Sequence, residues 1–233
     1  MKRTSKTTVG SPRPSPAPRA SRARPSPAPV ADVADLLRAF ESAARSLDVP
    51  WYVFGAQAVA AYGVPRTTAD VDVTVMLGTK SVTQLTAALQ RVGFVLKVND
   101  AAFVVATRVL PLKHSGSGWD LDVVLAGPGV EELFMGRTRT LPVAGLKVPL
   151  IALEDLIATK LLAQRPKDLE DVRGLLRTAV DLDRARLTEI VALLEEALDM
   201  SDLAPLLAQL DREVKAGKRR VTTTRVPTAR RSR

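Results

Sequence analysis

The stretch PRTTADVDVTV, Pro65 to Val75, ends in strict alternation. Val71, Val73 and Val75 fall on one side, and Asp70, Asp72 and Thr74 on the other. A period of two marks a strand with one buried face. Such a strand usually sets neutral polar groups opposite its apolar side. This one sets two carboxylates two residues apart, directly behind an arginine and two threonines. Residues i and i+2 share a face about 6–7 Å apart, so both acids can converge on one cation or on two cations about 4 Å apart. A third acid completes such a site. WDLDVVLA, Trp119 to Ala126, offers two candidates, Asp120 and Asp122, opposite Leu121 and Val123. If the two strands are neighbours, their acids form one cluster. Oxygen-only ligands suit magnesium or manganese, which keep waters and bind substrate phosphates.

Working outward, WYVFGAQAVAAY (Trp51–Tyr62) reads as a short buried strand, a glycine and an alanine-rich helix. Gly55 permits close backbone approach, and a helix start offers free N–H groups to a phosphate. Arg66 lies four residues before Asp70, where a planar cation can hold another phosphate. Downstream, EDLIATKLLAQRPKDLEDV places Asp155 and Lys160 five residues apart on a helix, with Asp168 opening the next one. A lysine facing the acids would neutralise a triphosphate.

The remaining pattern is mixed. VADVADLLRAFESAARSLD and SVTQLTAALQRV have helical spacing, and a short helix is expected near Gly129–Phe134. GFVLKV and AAFVVATRV look strand-like, joined by a turn near Asn99-Asp100. RTRTLPV and LKVPLI look like edge strands, and from Ala152 onward every segment reads as helix. His114, in LKHSGSG, is expected to be a surface residue in a turn. Strands first and helices last predict an α+β fold: a small mixed, twisted sheet with flanking helices and a helical C-terminal part. The expected divisions are a Pro/Ser/Arg-rich disordered arm over 1–30, a core over 31–150, a helical part over 151–214 and a disordered basic tail over 215–233.

Composition narrows the chemistry. The net charge of +9 is confined to the ends. Residues 1–30 hold seven Lys/Arg and 215–233 hold eight, neither with an acid, leaving 19 basic and 25 acidic residues between them. The body is therefore mildly acidic, and the ends suit weak, salt-sensitive attraction to a polyanion. With no cysteine and one histidine, disulfides, thiolate metal sites, a cysteine nucleophile and most histidine-rich zinc sites are excluded. No apolar run approaches a membrane span, and the basic start lacks the apolar core of a secretory signal, so cytoplasmic residence is the default expectation.

The arrangement resembles the polymerase-beta-type minimal nucleotidyltransferases, and within them the AbiEii-type group, which includes abortive-infection toxins. That pattern has a Gly-Gly or Gly-Ser step after a strand, then Arg-x-Thr-x-Asp-h-Asp (h apolar), an acid on a later strand, Asp-x4-Lys, and a further Asp. Arg66, Thr68, Asp70 and Asp72 fit the second element. Asp155 and Lys160 fit Asp-x4-Lys, and Asp168 fits the final acid, with Asp171 as an alternative. Asp122 is preferred as the third acid, with Asp120 as its substitute. The first element departs, reading Gly55-Ala56, so a serine hydroxyl to phosphate is missing.

The resemblance implies two-metal transfer of a nucleoside monophosphate from an NTP to a hydroxyl. Asp70, Asp72 and Asp122 would bind magnesium or manganese. Gly55, Ala56, Arg66, Thr68, Asp155, Lys160 and Asp168 would serve the nucleotide. The acceptor would be tRNA or a protein, and a toxin would have a cognate antitoxin.

Two other readings compete. One is a catalytically lapsed nucleotidyltransferase fold that acts as a binding protein, which Ala56 favours and the intact acids oppose. The other is a haloacid-dehalogenase-type phosphatase, since DVDVT matches Asp-x-Asp-x-Thr. There the aspartate ends a buried strand, whereas here GVPRTTA precedes the acids and the apolar run follows them.

Overall fold

A computed structural model describes residues 31–223. Helix α1 (Ala31–Leu47), strand β1 (Trp51–Phe54), helix α2 (Gly55–Ala61) and strand β2 (Asp70–Val75) come first. Next are α3 (Val82–Arg91), β3 (Phe94–Leu96), α4 (Ala101–Thr107), β4 (Val109–His114), β5 (Asp120–Leu125) and α5 (Val130–Met135). Strands β6 (Arg139–Val143) and β7 (Leu146–Leu150) lead into α6 (Leu153–Ala163), α7 (Pro166–Thr178), α8 (Arg184–Leu198) and α9 (Leu203–Thr223). The strands form one seven-stranded mixed sheet in the order β3-β4-β5-β2-β1-β7-β6. Strand β2 runs parallel to β5 and antiparallel to β1.

The alternation of β2 decides what covers each side. Val71, Val73 and Val75 are fully buried on one face, each contributing about 1.5–3 kcal/mol of apolar burial. Val123 pairs with Val73 on that face, and Leu110 with Val123. Helix α3 lies over it, lining a cavity with Leu96 and Leu110, and α1 packs beside α3. A reciprocal cap holds the start of α3: Gln84 N donates to Ser81 Oγ and Ser81 N donates to the Gln84 side chain. Phe40 meets Trp51 edge-on at 5.0 Å and ties α1 to β1. The opposite face, bearing Asp72, Thr74 and Val124, is covered by α5 and α6.

Four expectations require correction. AAFVVAT is helix α4 instead of a strand. Asp100 caps it by accepting from Ala102 N, so Asn99-Asp100 starts a helix where a hairpin turn was expected. The β-branched valines concealed this. The strand that follows is β4, Val109–His114. Strand β7 is interior, paired with β1 on one side and β6 on the other. His114 is only 7% exposed. Its ring lies 4.9 Å from that of Phe94, beside Gly93 and Gly116, which leave room for it. Finally, α9 runs past Lys215 to Thr223. The i,i+4 pair from Lys215 to Asp211 at 2.5 Å lies on that helix. The rest of the expected basic tail, 224–233, and the arm 1–30 lie outside the described residues.

Helix α7 docks against the chain that leads into β2 through a glycine. A Cβ at Gly174 would lie 2.7 Å from Val64 Cγ1. An alanine in a helix interior normally adds about 1 kcal/mol over glycine. Gly174→Ala is expected to do the reverse here, lowering stability by about 1–3 kcal/mol through overpacking. Denaturant unfolding of the two proteins measures this.

Candidate active site

Strands β2 and β5 align Asp70 with Asp120 and Asp72 with Asp122. Parallel neighbours in register place equivalent side chains on the same face, so the two acid pairs form one patch. The Thr68 hydroxyl donates to the Asp70 carboxylate. Asp72 points at the start of α2. Gly55 has a φ of +64°, and a Cβ there would overlap the Asp72 carboxylate. Only glycine satisfies both conditions. Lys97, just after β3, reaches Asp120 at 2.7 Å. Asp122 pairs with no cation among the described residues.

A cavity of about 260 Å³ opens beside these acids. Gly55, Asp72 and Thr74 line one wall, with Thr159, Lys160, Arg165 and Asp168 opposite. Tyr52, Phe54, Phe134, Ile151 and Leu156 supply apolar surface, and Glu131 adds a carboxylate. Burial, reinforced by the charges of Asp70 and Asp122, pushes the Asp72 carboxyl up to about 6. Burial also lifts Asp122, with Lys97 opposing and Asp70 and Asp120 adding to the shift. Burial works against the Asp168 carboxylate as well, but hydrogen bonds from Arg165 and Lys160 outweigh it and hold it below the usual range. Tyr52, beneath the cavity, is pushed up to about 12 by burial.

These acids fit a hard divalent cation. The donors are all oxygen, and the carboxylates that resist ionisation lie where an added cation would offset their charge. Among the described residues no three His, Cys, Asp or Glu side chains close into a cage.

The other expected residues fall in two groups. Lys160 and Asp168 line the cavity. Ala56 follows Gly55 in α2 and brings no polar side chain. Arg66 lies behind the wall, 3.3 Å from Asp171. Asp155 faces away from the cavity. Five residues turn a helix through about 140° beyond a full circle, so Lys160 and Asp155 leave α6 on different sides. Asp155 is fully buried near Arg137 (3.5 Å) and Arg186 (3.8 Å). Burial raises its carboxyl despite both arginines. Sequence reading missed Arg165, Lys97, Thr159 and Glu131. Arg165 alone carried a signal, standing directly before the proline that opens α7.

A mixed sheet with paired, in-register carboxylates facing a cation-lined cleft is the frame of a nucleotidyltransferase. Residues 34–203 match the family model described as Nucleotidyltransferase of unknown function (DUF6036), and the chain belongs to that family. It is thereby a transferase. No curated protein matches the chain. Among solved structures, that of the antibiotic-resistance factor ANT(2'')-Ia is 15% identical with a TM-score of 0.45, the match covering 83% of this chain and 97% of that one. An antigenic nucleotidyltransferase-like protein from Paracoccidioides brasiliensis is 20% identical, with a TM-score of 0.44 and coverage of 76% and 91%. The lincosamide antibiotic adenylyltransferase LnuA, lincomycin-bound, is 16% identical, with a TM-score of 0.42 and coverage of 64% and 97%. Among the described residues no helix is long and apolar enough to cross a membrane.

The raised Asp72 pKa has a consequence for stability. Its folded value of about 6 lies above the ordinary 3.8, so the fold binds this proton more tightly than the unfolded chain. The ionised carboxylate costs up to about 3 kcal/mol above pH 6, and the cost fades as pH falls from 6 towards 3.8. Asp72→Asn, without added metal, is expected to raise the melting temperature at pH 8 and to raise it less at pH 5.

Proposed function

We propose that the protein is a magnesium- or manganese-dependent nucleotidyltransferase that moves an NMP from an NTP to an acceptor hydroxyl, at an RNA 3′ end or on a protein. The observation that carries this reading is the in-register pairing of Asp72 with Asp122 beside a cleft whose far wall bears Lys160 and Arg165. The narrower kinship with AbiEii-type proteins, and with it a toxin role and a cognate antitoxin, rests on the sequence motifs alone.

Asp70 and Asp72 would hold the metal, with Asp122 as the third acid. The pairing of Asp120 with Lys97 supports Asp122 over Asp120. A metal held there would supply charge neutralisation on the phosphates. Lys160 and Arg165 hold the triphosphate against the acid patch, and the apolar wall of Tyr52, Phe54 and Phe134 accepts the base and excludes water. The acceptor oxygen bonds to the α-phosphorus, the bond to the bridging α,β-oxygen breaks, and pyrophosphate leaves. The hydroxyl proton passes to the Asp122 carboxylate. Such transfer depends on positioning and electrostatics, so neither a histidine nor a cysteine is required. Asp155 is an anchor of α6 in this scheme and makes no nucleotide contact.

The test is label transfer with magnesium, each α-labelled NTP in turn, bulk tRNA and total protein. Label on RNA or protein from the wild type, reduced about a hundredfold or more in Asp70→Asn/Asp72→Asn, is the expected outcome. No transfer and no metal-dependent NTP binding would instead favour the lapsed-fold reading. Asp155→Asn separates the two roles of the Asp-x4-Lys segment. Folded Asp155→Asn enzyme should keep its KM for NTP, whereas a residue that contacts the nucleotide would raise it on substitution.

A further inference from the structure

Five charged groups form a chain of alternating sign behind the cleft. Lys160 Nζ lies 3.2 Å from Asp168 Oδ1 and 2.8 Å from Asp171 Oδ2. Asp168 is shared with Arg165 at 2.5 Å, and Asp171 with Arg66 at 3.3 Å. Both acids are 1% exposed. Lys160, Arg165 and Asp168 line the cavity, whereas Arg66 and Asp171 do not. The Val64–Gly174 contact presses α7 against the chain that carries Arg66, and Asp171 is one helical turn before Gly174, on the same side.

We infer that Arg66 is a positioning residue: by sharing Asp171 it keeps the charge of Lys160 available to the triphosphate. This inference rests on the nucleotidyltransferase reading and changes the role expected of Arg66 from its motif. Three cations share two acids, so one positive charge is in excess, and Lys160 and Arg165 present it to the cleft. Without Arg66, Asp171 has Lys160 as its remaining partner and neutralises it more completely. In low dielectric that neutralisation is strong, and the cleft loses much of its attraction for phosphate. Removing Asp171 as well restores the balance of cations over acids.

The consequence is a recovery that a direct phosphate ligand would not show. Calorimetric titration of the full chain with ATP, GTP, CTP and UTP in magnesium first identifies the NTP that binds. Arg66→Gln should weaken that NTP about tenfold, leaving the matching nucleoside monophosphate within about twofold. Arg66→Gln/Asp171→Asn should return triphosphate affinity to within about threefold of wild type, a non-additive cycle. Arg66→Lys, which keeps a cation beside Asp171, should retain most of the affinity. An additive double variant, or one no better than Arg66→Gln, overturns the inference and makes Arg66 a direct ligand. Equal losses for triphosphate and monophosphate overturn it in favour of a general structural role. Should Arg66→Gln not fold, Asp171→Asn alone decides: unchanged or tighter triphosphate binding sustains the inference, and a tenfold loss overturns it. Failure of the wild type to bind any NTP overturns the functional reading itself, and this inference with it.

Discussion

The parallel, in-register pairing of β2 with β5 is the constraint on which the site depends. It matches Asp70 to Asp120 and Asp72 to Asp122 on one face while Val71, Val73, Leu121 and Val123 seal the other. A slip of one residue would drive the acids into the core and the valines into the cleft. The apolar face therefore fixes the register, and the register assembles the carboxylate patch. The site inherits its precision from hydrophobic burial on the far side of the sheet.

That assembly opposes itself electrostatically. Asp72 and Asp122 are both pushed upward, first by burial and then by neighbouring acids. The fold tolerates this strain because the cleft supplies counter-charge at graded distances. Lys97 engages Asp120 directly, while Lys160 acts on Asp72 from across the cavity. Behind Lys160, α7 contributes two buried acids that keep the cationic wall fixed in place. An acid patch and a cation wall line one cavity of about 260 Å³, and the proposed metal-bound triphosphate carries charges complementary to both.

Much of this was legible in the sequence because it has short range. The Asp-x-Asp alternation, the Gly55 turn and the helical run after Ala152 each express a local period or a single backbone requirement. What escaped depends on partners distant in the chain. Asp155 and Lys160 share one motif, but only the helix's rotation and the presence of Arg137 and Arg186 send Asp155 away from the cleft. Lys97 and Asp120 are 23 residues apart and meet through the β3–β4–β5 pairing. The AAFVVAT segment misled because its valines favour strands while Asp100 caps a helix, and the cap won. His114 looked like a turn residue because the glycines that make room for its buried ring also signal a turn.

Asp70, Asp72 and Asp122 are proposed to form a divalent-metal site completed by a nucleotide. Electron paramagnetic resonance of manganese tests it most directly, because protein binding diminishes the free-ion signal. Measured against a protein-free blank of manganese and a non-hydrolysable NTP analogue, the wild type should take up further manganese and Asp70→Asn/Asp72→Asn should add nothing to the blank. Equal uptake by both proteins, or none by either, would contradict the account.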